Sequence, residues 1–245
     1  MFLGKDYSNL ITVDLICHGV PSPGVFKWYL QEKVNKCAQS AFNSEIPDCS
    51  IRSIPKGGLK LPRGVKIEEI RFRDKREGWK KYSFVLHLSM AREIGTKESC
   101  FISEDVCKNA FLNGFVLGLY LRPSCHKCPV RSFKSGSDLT LGDFWGQEKM
   151  FPTFDSDTGV SAVIINTLKG DALFSQLEEI NKEIKSLDQV ISYNKSLLFS
   201  MPVPYSSRKF WKLPDGYSFE ERVSRALSFS FFERAYIKIN QMIKK

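Results

Sequence analysis

The sequence predicts an α/β fold, a mixed sheet flanked by helices with a C-terminal helical appendage, and three observations carry that prediction. Short runs rich in β-branched residues alternate with segments of helical spacing. The chain has 245 residues and 42% hydrophobic composition, enough to bury a core. After Ser192 the texture changes, with Pro202, Pro204, Pro214 and Gly216 punctuating a polar stretch. The expected division is an α/β domain over residues 1–191 and an appendage over residues 192–245.

Leu10–Ile16 (L-I-T-V-D-L-I) reads as a buried strand. Cys17-His18-Gly19 follows it, Pro21 and Pro23 interrupt regular structure, and Gly24–Ala41 resumes with Val25, Trp28, Tyr29 and Val34 at helical spacing. The cysteine thus stands at the carboxyl end of a strand, the edge where ligands collect in open α/β sheets. Lys66–Phe72 and Tyr82–Met90 alternate as a strand pair around the polar tip Arg73–Lys81. Ser103 is placed to cap a helix from Glu104 to about Tyr120, with Val106, Ala110, Phe111, Phe115, Val116 and Leu119 on one stripe. Asp138–Gly142 and Val160–Thr167 read as two more strands, the second so apolar that a central position is expected. These two strands and Leu10–Ile16 are expected in one sheet, covered by the helices near 24–41, 104–120 and 169–187. Ser218 and Glu221 form a capping-box pair opening a last helix toward Lys245, which is expected to pack on the outside.

The net charge of +9 is concentrated: residues 52–92 hold twelve Lys/Arg against four Asp/Glu. Such a block attracts an anion, whether a nucleotide cofactor, an acidic protein or nucleic acid, or is simply a solvated face. Nucleic acid ranks last, because Phe72, Trp79, Tyr82 and Phe84 are better explained by strand packing than by base stacking. No apolar run approaches the roughly 20 residues that span a bilayer, and Asp6 precedes the first apolar stretch, unlike a signal peptide. The expected address is cytoplasmic. There the seven cysteines are free thiols or ligands rather than disulfides. Cys37, Cys49, Cys100 and Cys107 stand alone and default to packing.

Cys125 and Cys128 form a C-x2-C pair between prolines, a pattern that lets two thiolates bind one ion or part of a cluster. No second pair exists, which argues against a zinc ribbon. Cys17 reads equally as a third ligand or as a core residue, while His18 and His126 fit polar loop positions better than nitrogen ligation. In T-L-G-D-F-W-G (Thr140–Gly146), Gly142 and Gly146 permit unusual backbone angles, and Phe144 and Trp145 suit either a planar ring or the core. The segment matches neither G-x-G-x-x-G nor a Walker loop. No Ser/His/Asp or Cys/His set has a hydrolase context.

Five blocks follow one another in a recognisable order: D-L-I-C-H-G-V-P-S-P (Asp14–Pro23), F-R-D-K-R-E-G-W-K-K-Y-S-F (Phe72–Phe84), L-R-P-S-C-H-K-C-P (Leu121–Pro129), S-D-L-T-L-G-D-F-W-G (Ser137–Gly146) and G-V-S-A-V-I-I-N-T-L-K-G (Gly159–Gly170). Together they resemble the C-terminal region of the coenzyme F-420 hydrogenase/dehydrogenase beta subunit family, in its bacterial branch. The resemblance implies an iron–sulfur flavoprotein oxidoreductase passing electrons between a 4Fe-4S cluster, FAD and a soluble acceptor, and many bacterial relatives sit in surface-polysaccharide gene clusters. It implies Cys17, Cys125 and Cys128 as cluster ligands; on that reading Arg73, Asp74 and Lys75 with Gly142, Asp143, Phe144, Trp145 and Gly146 are expected to line the flavin or acceptor site as cofactor-binding residues. Longer relatives carry upstream a G-T-P-C motif whose cysteine is the expected fourth ligand. A missing N-terminal half, or a redox partner protein supplying it, is therefore expected. The alternative is a cofactor-free interaction module derived from the same family.

Overall fold

The computed structural model describes residues 5, 7–42, 53–55, 57–91, 96–150, 157–178 and 180–230. Its elements in chain order are β1 (Val13–Leu15), α1 (Pro23–Phe42), β2 (Val65–Asp74), β3 (Ser83–Ala91), β4 (Lys97–Asp105), α2 (Ala110–Val116), a 3-10 turn Pro123–Lys127, β5 (Leu139–Asp143), α3 (Gln147–Met150), β6 (Ser161–Ile165), α4 (Leu168–Ser175), α5 (Leu187–Tyr193), a 3-10 turn Lys195–Leu197, α6 (Tyr205–Lys212) and α7 (Phe219–Leu227). The fold is mixed α/β, with two three-stranded sheets, β1-β5-β6 and β2-β3-β4, flanked by helices. The chain forms two compact units: the first comprises Met1–Gly19 and Ser124–Met201, the second Val20–Pro123 and Pro202–Lys245.

In the second unit, Pro23 opens α1 at a position where no intrahelical N–H is needed. Val25, Trp28, Tyr29 and Val34 are buried as their spacing predicts. So are Gln31, Glu32, Lys33 and Asn35, because the helix is covered on nearly every side. These buried polar groups have partners. Glu32 accepts from Trp28 Nε1 at 2.6 Å and from the Phe219 backbone N–H at 3.0 Å, capping α7. Gln31 donates to Asn35 Oδ1 at 3.0 Å, and Lys33 bridges Glu104 and Glu220. β2, β3 and β4 form an antiparallel meander. Phe84, Leu86 and Leu88 of the central strand are fully buried against Tyr29 and Phe111 of the same core.

Several expectations are corrected here. Residues 97–105 form β4 rather than the start of a helix, and α2 is confined to Ala110–Val116, capped by Asn109 and not by Ser103. Cys37 and Cys100 are not isolated packing residues, because α1 lies against β4 and the two are joined in a disulfide. The last helix does not pack on the outside: Phe210 of α6 and Phe219, Val223 and Ala226 of α7 belong to the same buried cluster as Trp28 and Phe111. It ends at Leu227 rather than running on toward Lys245, with Ser228 in an extended conformation; residues 231–245, like Cys49, lie outside the described residues.

In the first unit, the three strands expected together do share a sheet. β1 runs parallel to β5, and β5 pairs antiparallel with β6. β5 holds the centre and β6 an edge, which corrects the central position expected from its apolar run. β1 is also an edge, three residues long, with Val13 49% and Leu15 70% exposed rather than buried. Of the helices expected over this sheet, α4 belongs to this unit, whereas α1 and α2 belong to the other. α4 ends at Ser175, and 176–186 hold no regular element among the described residues.

Candidate metal and cofactor site

β1 and β5 are parallel, so their carboxyl ends point the same way and the loops that leave them emerge at one edge of the sheet. Cys17 follows β1, whose last turn is fixed by the Ile16 N–H donating to Leu141 O at 2.7 Å. Gly142–Gly146 lie at the end of β5 and just beyond it.

The C-x2-C loop joins this edge from the 3-10 turn Pro123–Lys127. It is pinned along its length by the segment 195–201. Cys128 N–H donates to Ser200 Oγ at 3.2 Å, His126 Nδ1 lies 2.7 Å from Met201 O, and Ser132 donates from N to Leu197 O at 3.0 Å and from Oγ to Leu198 O at 2.9 Å. Ser132 and Phe133 both adopt left-handed backbone angles, φ 57° and 63°. Side chains with a Cβ enter that region at a cost, which the paired anchors on Ser132 offset.

Cys17, Cys125 and Cys128, with more than a hundred residues between the first and the second, line one cavity of about 90 Å³. Asp14, Arg131, Ser132, Thr140 and Ser196 add polar groups to its wall. Asp14 Oδ2 accepts from Ser135 Oγ at 2.6 Å, while its Oδ1 is buried without a hydrogen-bond partner. Arg131 donates from Nη2 to Cys17 O at 2.6 Å and from Nη1 to Ser196 O, and its Nε is likewise buried without a partner. Asp14, Arg131, Ser196 and Leu197 were missed in the sequence. Asp14 and Arg131 were findable, each a charged residue three positions from a candidate cysteine; Ser196 and Leu197 carried no signal.

The residues expected to bind a flavin fall into two groups. Gly142–Gly146 belong to the first unit. Here Gly142 packs tightly on Ile16, Phe144 is buried edge-on to Tyr193, and Trp145 is 48% exposed. Gly146 has φ 89° and lies so close to the Tyr193 ring that any Cβ would overlap it. Phe144 also borders a second cavity of about 910 Å³ along β6, walled by Phe174, Leu177, Ile180 and Leu187. Arg73, Asp74 and Lys75 belong to the second unit, at the end of β2. Asp74 is held below the usual carboxylate range by the Arg76 guanidinium 2.7 Å away, with the Arg76 backbone N–H and Arg71 adding to the effect. The Arg73 guanidinium lies over the Tyr82 ring at 5.0 Å. Part of the positive charge in this segment is therefore compensated locally.

Neither His18 nor His126 completes a ligand set. Among the described residues no three Cys, His, Asp or Glu side chains stand close enough to grip a single ion as placed. Among them, too, no helix is long and apolar enough to cross a membrane. Comparison with curated proteins and with solved structures found no match. The family model for the C terminus of the coenzyme F420 hydrogenase/dehydrogenase beta subunit matches residues 4–189, a stretch that holds all three cavity cysteines. The chain belongs to that family.

Proposed function

We propose that the chain is the C-terminal module of an iron–sulfur flavoprotein oxidoreductase, with Cys17, Cys125 and Cys128 as ligands of a 4Fe-4S cluster. The convergence of these three thiols on one cavity is the observation that supports it. The donor chemistry fits a cluster: soft sulfur ligands, and a guanidinium in the wall to balance negative charge. Ligation requires the side chains to close further than they stand. Three thiolates fill three of the four positions of a cubane, and the fourth donor is assigned to an N-terminal half of the family's longer members or to a redox partner polypeptide that supplies it.

When bound, the cluster supplies one-electron transfer and FAD couples it to two-electron chemistry. The residues of this chain hold and orient those groups. Gly142–Gly146 are assigned to the flavin, and Arg73–Lys75 to an anionic group of a soluble acceptor. Surface-polysaccharide biosynthesis is the proposed setting, and the cytoplasm the proposed compartment, one whose thiol pool favours the reduced form of the Cys37–Cys100 pair.

Anaerobic reconstitution with iron and sulfide, followed by iron and sulfide analysis, tests the assignment. Bound cluster in the wild type and its loss in Cys125→Ser or Cys128→Ser are expected. A colourless, iron-free protein even when the polypeptide that supplies the fourth donor is co-expressed would remove it. The unassembled ligand set favours a second reading, a cofactor-free interaction module of the same family. Flavin titration separates the two, since the module binds none.

A further inference from the structure

Arg131 ties three separate stretches of the first unit to one another. Its Nη2 donates to Cys17 O at 2.6 Å and reaches His18 O at 3.3 Å, and its Nη1 donates to Ser196 O, while its own backbone lies between Cys128 and the left-handed pair Ser132-Phe133. That pair reverses the chain immediately after Arg131. The two bonds from Ser132 to Leu197 O and Leu198 O hold the reversal in place, so the guanidinium is aimed by backbone rather than left to a flexible stem. Carbonyl oxygens take up Nη1 and Nη2, but the buried Nε has no acceptor. A buried N–H without an acceptor is costly, and the side chain that carries it lines the cavity of three sulfurs.

The geometry points to Arg131 as the positioning residue of the cysteine cavity: it clamps the Cys17 loop to the Cys125/Cys128 loop and leaves its buried Nε–H for an anionic sulfur. This deepens the cluster reading and rests on it only for the nature of the anion. Without the clamp, the hydrogen bonds that link the carbonyls of Cys17 and His18 to the segment beside C-x2-C are gone. Lysine keeps the charge but has no planar fork with which to reach both stretches.

Two measurements on the full chain test it. The first uses dibromobimane, which joins two thiols held close together, with the products mapped by peptide mass spectrometry under reducing, metal-free conditions. In the wild type a Cys17 link to Cys125 or Cys128 is expected. In Arg131→Gln that link is lost while the Cys125–Cys128 link persists, and Arg131→Lys restores it in part. An unchanged Cys17 link in Arg131→Gln overturns the clamp, and so does its absence from a wild type whose circular dichroism shows a folded chain. The second is cobalt(II) titration, read by the thiolate-to-cobalt charge-transfer band. Arg131→Gln is expected to weaken cobalt binding about 10- to 100-fold, the usual effect of losing a residue that orients ligands. Its band should match that of Cys17→Ser. A wild type with no such band removes the metal reading while the cross-link still decides the clamp.

Discussion

Asp138 stands at the head of β5 with both carboxylate oxygens engaged: Oδ2 accepts from Thr12 N and Thr12 Oγ1, each at 2.9 Å, and Oδ1 accepts from Thr167 Oγ1 at 2.7 Å. Those bonds, the Thr167 hydroxyl foremost and then the Thr12 N–H, hold its carboxyl down to about 2. A carboxyl lowered from about 3.9 in the unfolded chain contributes stability that is present above about pH 4 and is lost as pH falls toward about 2. Asp138→Ala should therefore destabilise the first unit by about 2 kcal/mol at neutral pH, the scale of charged hydrogen bonds. It should also flatten the pH dependence of unfolding between about pH 4 and pH 2. Urea titrations at several pH values check this, and a variant as acid-sensitive as the wild type would contradict it. The same residue shows what the sequence could tell. S-D-L-T-L-G-D-F-W-G was legible as a block, yet its Asp138 serves the architecture, and the three cysteines were legible because sulfur chemistry is written in residue type. Arg131 could be singled out by its place three positions after Cys128, but its clamping role could not, since that depends on a chain reversal at Ser132-Phe133 that neither residue type predicts.

At the scale of elements, Gly170 closes the corner that Asp138 opens. It lies in the first turn of α4, where its N–H donates to Thr167 Oγ1 at 3.1 Å and an added Cβ would strike the Asp138 carbonyl oxygen. Alanine at a helix position usually gains about 1 kcal/mol over glycine. Here overlap with backbone that has no room to yield costs about 1–3 kcal/mol, so the net sign reverses. Gly170→Ala should lower the unfolding midpoint, whereas Gly142→Ala, whose nearest neighbours are Ile16 side-chain atoms at 2.8–2.9 Å rather than a backbone oxygen, should be milder. Thermal unfolding of the pair decides between them, and equal effects would count against the argument. Phe219 tests α7 in the same way. It is buried beside Trp28, Tyr29 and Tyr120, and Phe219→Ala should cost about 3–5 kcal/mol, as for a core aromatic rather than an outer helix. Elements whose pattern met a real surface were legible: β2, β3 and α1 fall close to their expected bounds. The misses share a cause. The alternation of Glu98, Cys100, Ile102 and Glu104 in β4 was obscured by the stronger apolar stripe that follows it. The expected helix over 169–187 stops at Ser175, and the apolar positions beyond it are exposed, Leu177 48% and Ile184 93%; a helix depends on packing of its apolar stripe more than on propensity.

The two units differ in how much they bury, and that difference has a dynamic consequence. The second unit holds a continuous cluster running from Val25 through Phe84, Leu86 and Leu88 to Phe219 and Val223, with β3 paired on both sides. In the first unit the separate buried hydrophobic cluster comprises Phe144 and Ala162, and both of its outer strands, β1 and β6, expose apolar side chains. Amides exchange through the cheapest opening available to them, and sparse apolar contact makes opening cheap. Protection in native-state hydrogen exchange should therefore be highest in β3 and lower in β5, although each is the central strand of its sheet. A ligand that binds only the folded first unit adds stability there in proportion to the logarithm of its concentration over its dissociation constant. Saturating cobalt(II), or reconstitution with iron and sulfide, should then raise the protection of β5 and of the loop around Cys125 and Cys128 while leaving β3 nearly unchanged. Cys125→Ser should abolish the increase without altering the exchange of β3. Equal protection of β3 and β5 in the metal-free chain would show that the small core of the first unit is not what limits it. A metal-induced gain confined to β3 would place binding away from the cysteine cavity.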